Sequence, residues 1–121
     1  MKTITARELR KMRDAEEEFL LVNTLDGEHF EKTKIPGAAS IPQSASDFLN
    51  QVEQRAGGKN RTVVVYCANV RCDSSTKGAE KLERAGFTNV FDFADGYEGW
   101  QQINKEKEGG RKAKEDAPVK R

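Results

Sequence analysis

The run Val63-Val64-Val65-Tyr66-Cys67-Ala68 limits what this chain can fold into more than any other stretch. Three consecutive β-branched residues between polar segments suit a strand covered on both faces, as in parallel sheets whose crossovers are helices. The run ends at a cysteine, passes through the short polar segment Asn69-Val70-Arg71-Cys72-Asp73, and enters Ser74-Ser75. A helix is expected from about Ser74 to Ala85, with Ala79, Leu82 and Ala85 on its inward face and Gly86 as its stop. Strand, loop and helix in that order form the first half of a parallel crossover unit.

The flanking sequence repeats this grammar. Thr5-Ala6-Arg7-Glu8 has the spacing of a capping box, in which Thr and Glu satisfy free N–H groups at a helix start, and Ala6, Leu9 and Met12 follow at helical intervals. Phe19–Asn23 and Ala38–Ile41 are apolar runs too short for helices, and Pro36-Gly37 marks a turn before the second. Between Pro42 and Gly57, the residues Phe48, Leu49, Val52 and Ala56 fall on one helical face that Gly57-Gly58 terminates. Asn89–Phe93 reads as the last strand and Gly96–Ile103 as a short last helix. Strands alternating with helices predict an α/β fold with a mostly parallel sheet and helices on both faces.

Length and charge set the outer limits. With 121 residues, one domain is expected and two are not. Segment 104–121 carries seven basic and four acidic residues, with Ala113, Ala117 and Val119 as its apolar side chains. It is expected to be a charged, disordered tail behind a domain at 1–103. That leaves 14 basic against 16 acidic residues in 1–103, a balance without the strong positive field that nucleic acid or anionic lipid requires. No nucleic-acid or membrane partner is therefore expected. Charges near the amino terminus interrupt any secretory signal, and the apolar runs are far shorter than the ~20 residues of a membrane-crossing helix. A cytoplasmic location is the expectation.

Chemistry is expected at Cys67. In parallel sheets, ligands gather beyond the carboxyl ends of strands, where loops lead into helix N-termini. A thiol there meets the positive end of the helix dipole, and Arg71 adds a full charge nearby, so a lowered pKa and a nucleophilic thiolate are expected. An unperturbed cysteine is about 3% ionised at pH 7, so this shift decides reactivity. The opposing reading is that Cys67 is a buried strand residue, a common place for free cysteine. Phosphoryl chemistry of the Cys-x5-Arg kind would need a guanidinium at position 73, where Asp73 stands. Thioredoxin-like exchange would need Cys-x-x-Cys, whereas Cys67 and Cys72 are separated by four residues. Two thiols and the lone His29 make a poor zinc set, so no metal is expected. His29, in a helical stretch, is expected to have no chemical role, and Trp100 and Phe87 to pack.

The order of motifs resembles the single-domain rhodanese-like sulfurtransferases over about residues 3–103. Val63–Leu82 is similar to that family's strand, cysteine loop and helix. Gly86-Phe87-Thr88-Asn89-Val90, and Asp95-Gly96 with Trp100, are similar to its Gly-Phe-x-x-Val and Gly-Gly-x-x-x-Trp features. Leu21-Val22-Asn23 and Ile35-Pro36-Gly37-Ala38 resemble its Leu-Val-Asp-Val-Arg and His-Ile-Pro-Gly-Ala blocks. The chain departs from these patterns at Asn23, Leu25, Thr33-Lys34, Val70 and Cys72. Val70 replaces a frequent Gly and predicts a different loop path, because Val resists positive φ.

The resemblance implies a five-stranded parallel sheet and a reaction in which Cys67 accepts a sulfane sulfur as a persulfide and passes it to a nucleophile. No cofactor is required. Backbone N–H groups from Ala68, Asn69, Val70, Arg71, Cys72 and Asp73 are expected to bind the donor and the persulfide anion. Arg71 is expected to orient an anionic donor such as thiosulfate. Asp73 is expected to cap the following helix and to favour a persulfide or polysulfide donor instead. The partners are then a small sulfur donor and a thiol acceptor, with a protein acceptor as a variant. Cys72 is either a resolving thiol that attacks the persulfide or an inert residue at the helix entrance. Two other readings remain: a noncatalytic binding or regulatory module, and a Cys67/Cys72 redox switch.

Overall fold

The computed structural model describes the backbone of residues 2–113 and the side chains of residues 2–104. Its elements in chain order are β1 (Lys2–Thr3), α1 (Ala6–Asp14), β2 (Leu20–Asn23), α2 (Gly27–Lys32) and β3 (Ala39–Ser40), then α3 (Phe48–Ala56), β4 (Val63–Tyr66), α4 (Ser74–Arg84), β5 (Val90–Phe93) and α5 (Gly96–Ala113). The five strands form one sheet in the order β1-β5-β4-β2-β3, and every pairing is parallel. The α/β architecture with a five-stranded parallel sheet is thus established.

The alternation of β4 explains its composition. Val63 and Val65 pack into a core with Phe48 and Val52 of α3 and Ala79 and Leu82 of α4, while Val64 and Tyr66 face a second core with Leu9 of α1 and Trp100 of α5. Both faces are apolar because both are covered. The expected capping box is present: the Thr5 hydroxyl accepts from the Glu8 N–H at 3.1 Å, and a Glu8 carboxylate oxygen accepts from the Thr5 N–H at 2.8 Å.

Three elements differ from the sequence expectation. β1 was not visible, because a two-residue strand carries no periodicity; Lys2 and Thr3 pair with Phe91 and Asp92 through the backbone. β3 shrinks to Ala39–Ser40. The last helix continues beyond Ile103 to Ala113, so the segment expected as tail begins inside α5; Asn104–Glu108 is rich in Lys and Glu, which favour helix. Residues 114–121 lie outside the described residues. No helix among the described residues is long and apolar enough to cross a membrane.

The topology places one end of the sheet for function. From β2 the chain leaves toward β3 on one side, and from β4 it leaves toward β5 on the other. The carboxyl ends of β2 and β4 therefore flank a switch point, where open α/β sheets form their binding crevices. Cys67 directly follows β4 there.

Candidate active site

The carboxyl ends of β2 and β4 are fixed by buried hydrogen bonds. Tyr66 is fully buried; its hydroxyl donates to the Thr33 carbonyl at 3.0 Å, accepts from the Ile35 N–H at 2.9 Å and accepts from Asn23 Nδ2 at 3.2 Å. Burial pushes the Tyr66 pKa above its ordinary value. Asn23 also donates to Thr33 Oγ1 at 2.9 Å, and its Oδ1 accepts from the Leu25 N–H at 3.0 Å. A neutral Asn serves here without the desolvation cost of a charge. Thr24 ties the end of β2 to the start of α4, since its Oγ1 lies 3.1 Å from Ser74 Oγ, which in turn donates to the Thr24 carbonyl at 3.2 Å.

Gly96, at the start of α5, packs against the backbone of the cysteine loop. It has φ of +66°, and a Cβ on it would overlap the Cys67 carbonyl oxygen and lie 2.9 Å from Ala68 C and Asn69 N. The first turn of α5 can therefore donate to the cysteine loop: the Tyr97 N–H to the Cys67 carbonyl at 2.9 Å and the Glu98 N–H to the Ala68 carbonyl at 3.0 Å. Sequence reading missed these donors, although Asp95-Gly96 was the available signal.

Cys67 is completely buried. Its Sγ donates to the Cys72 carbonyl oxygen at 3.3 Å and lies 3.6 Å from Ser75 Oγ. The expected lowering of its pKa is overturned. Burial first, and then hydrogen bonding with Cys72, push the thiol from 9.0 up to about 11, against an opposing effect of the Ser75 N–H and hydroxyl. Two features of the loop explain the difference. A carbonyl oxygen faces the sulfur and favours the protonated form, and Arg71 is exposed rather than turned inward. Ser75, not singled out from the sequence, supplies donors that favour the charged form.

The loop holds itself together. The Cys72 N–H donates to the Asn69 carbonyl at 3.0 Å and the Arg71 N–H to Asn69 Oδ1 at 3.0 Å, so these two N–H groups already have partners within the loop. Asn69 Nδ2 donates to Glu98 Oε2 at 3.1 Å, anchoring the turn to α5. Ala68 and Asn69 are partly buried, Val70 is 71% exposed, and Cys72 is partly buried. Val70 needs no left-handed backbone; Glu16 is the one non-glycine with positive φ among the described residues. Asp73 does not cap α4 through its side chain, which is exposed and lies 3.6 Å from Lys77 Nζ.

Other singled-out residues lie elsewhere. His29 in α2 is exposed and within 2.9 Å of Asp26, whose carboxyl it holds below its ordinary pKa through hydrogen bonding. Trp100 and Phe87 belong to the two cores. The cleft lined by Glu17, Glu18, Leu20, Arg55, Arg61 and Thr62 lies at the amino ends of β2 and β4, opposite Cys67.

Known proteins are similar to this chain in sequence and in fold. The adenylyltransferase and sulfurtransferase MOCS3-2 of Zea mays is 30% identical over 102 residues, covering 82% of this chain and 21% of that protein. The chain spans about a fifth of the length of the curated relatives it matches. A Bacillus halodurans protein of known structure superposes with a TM-score of 0.72 and 26% identity, covering 85% of this chain and 73% of its own. The thiosulfate sulfurtransferase of Pseudomonas aeruginosa has the same fold, with a TM-score of 0.74 at 24% identity, over 86% of this chain and 19% of that one. The model of the rhodanese-like domain matches residues 5–103, and the chain belongs to that family.

Proposed function

We propose that this chain is a sulfurtransferase in which Cys67 carries a sulfane sulfur from a small donor to a thiol acceptor. The observation that carries the reading is the placement of Cys67 directly after the central strand, facing the Ser75 N–H and hydroxyl at the start of α4. In the forward step the Cys67 thiolate attacks the outer sulfur of the donor, and the donor leaves as sulfite from thiosulfate or as a thiolate from a persulfide. The proton leaves Cys67 before attack and ends on the departing sulfite or thiolate or in solvent, and the Ser75 donors favour the anion. A low-charge persulfide or polysulfide is the favoured donor class. The Asp73 carboxylate stands beside the loop, and Cys67 lies in a dry setting that opposes a dianion.

A second reading has an observation behind it. The protonated, buried Cys67 suits a rhodanese-like module that binds a partner without catalysis. Steady-state kinetics separate the two. Sulfur transfer from glutathione persulfide faster than from thiosulfate, lost in Cys67→Ser, supports the enzyme and its donor class. A rate that Cys67→Ser leaves unchanged removes the enzyme reading, and faster turnover of thiosulfate removes the donor assignment.

A further inference from the structure

We propose that Cys72 is the intramolecular acceptor for the sulfur chemistry of Cys67, so that the loop ends its half-reaction as a Cys67–Cys72 disulfide and releases hydrosulfide. This rests on the Cys67 persulfide reading and assigns the fate of that intermediate. Both cysteines are free thiols. Cys67 Sγ lies 3.3 Å from the Cys72 carbonyl oxygen, so the loop brings the backbone of Cys72 against the sulfur. The approach is built by a turn rather than by chance proximity. The Asn69 carbonyl closes it onto the Cys72 N–H, Asn69 Oδ1 holds the Arg71 N–H, and Asn69 Nδ2 fixes it to Glu98. The turn holds Cys72 with its backbone against Cys67 Sγ, and a disulfide needs the two α-carbons within about 7 Å.

Burial sorts the roles. Cys67 is completely covered, whereas Cys72 is partly exposed on the same loop. Cys72 is the one other cysteine of the chain and its backbone lies against Cys67 Sγ, so it is the intramolecular thiol available to the intermediate. In the step, the Cys72 sulfur attacks Cys67 Sγ as the thiolate. The Sγ–Cys72 bond forms, the bond from Sγ to the outer sulfur of the persulfide anion breaks, and that sulfur departs with the electron pair, takes up the proton given up by Cys72 and leaves as hydrosulfide. The sulfane sulfur is reduced to sulfide and the two thiols are oxidised to the disulfide. The donor's sulfane sulfur is the oxidant, and a low-molecular-weight thiol or dithiol is the reductant that restores the loop.

The test mixes the full, pre-reduced chain with one equivalent of glutathione persulfide without oxygen, then reads hydrosulfide and the intact mass after an acid quench. The native chain is expected to lose about 2 Da as hydrosulfide appears, whereas Cys72→Ser and Cys72→Ala retain a gain of about 32 Da and release hydrosulfide at least about tenfold more slowly. Hydrosulfide release at the native rate from both variants overturns the assignment while leaving the Cys67 persulfide intact. No mass change in any form overturns the assignment together with the reading beneath it.

Discussion

The α-carbon of Gly96 packs against the carbonyl group of Cys67, at a φ of +66° and without room for a Cβ. This contact couples the cysteine loop to α5, because it lets the Tyr97 and Glu98 N–H groups reach the Cys67 and Ala68 carbonyls. Gly96→Ala combines left-handed strain with a backbone overlap, and is expected to destabilise the fold by about 2–4 kcal/mol. Urea unfolding checks this; a loss under about 0.5 kcal/mol, the range of neutral surface changes, would contradict it.

Tyr66→Phe tests the buried hydrogen bonds at the carboxyl ends of β2 and β4. The change removes one oxygen but leaves the buried Ile35 N–H without its acceptor and Asn23 with one partner fewer. The expected cost is about 1–3 kcal/mol by denaturant titration. A neutral result would mean that these groups find other partners.

Alkaline pH should act on Cys67 in two ways. With its thiol pushed up to about 11, the alkylation rate of Cys67, followed in the native chain by peptide mapping that separates it from Cys72, should climb about tenfold per pH unit from 7 to 10. A plateau by pH 8 would rule out the raised value. The same shift is linked to stability. The folded state holds the proton more tightly than the unfolded chain, so the contribution is fully present below pH 9 and is lost as pH rises from 9 through about 11. Tyr66, also raised, adds a loss of the same sign.

Ser75→Ala separates the helix start from its side chain. The substitution deletes a hydroxyl that favours the Cys67 thiolate while leaving the Ser75 N–H in place. Cys67 alkylation at pH 8 is expected to slow by about two- to fivefold with little change in fold stability. A faster reaction would show that the hydroxyl instead restrains the sulfur.

The sheet was legible because its central strand is written in three valines, and α1, α3 and α4 because their apolar spacing and stops agree with the fold. β1 was hidden, since a two-residue pairing leaves no pattern. The position of Cys67 could be read from strand, loop and helix, but its ionisation could not. That depends on whether N–H groups or a carbonyl oxygen face the sulfur, a backbone orientation that residue types do not encode. Ser75 escaped notice for a related reason: a helix-start serine reads as a cap until the sulfur is found beside it. Asp73 showed the reverse error, a capping residue by type whose side chain makes no cap.

The sulfur-transfer proposal is tested most directly by peptide mass mapping after the chain meets a polysulfide, with Cys72→Ser used to hold the adduct. One added sulfur, about 32 Da, is expected on the peptide containing Cys67 and absent when Cys67→Ser is added. An unmodified Cys67, under conditions that persulfidate a small free thiol, would contradict the proposal.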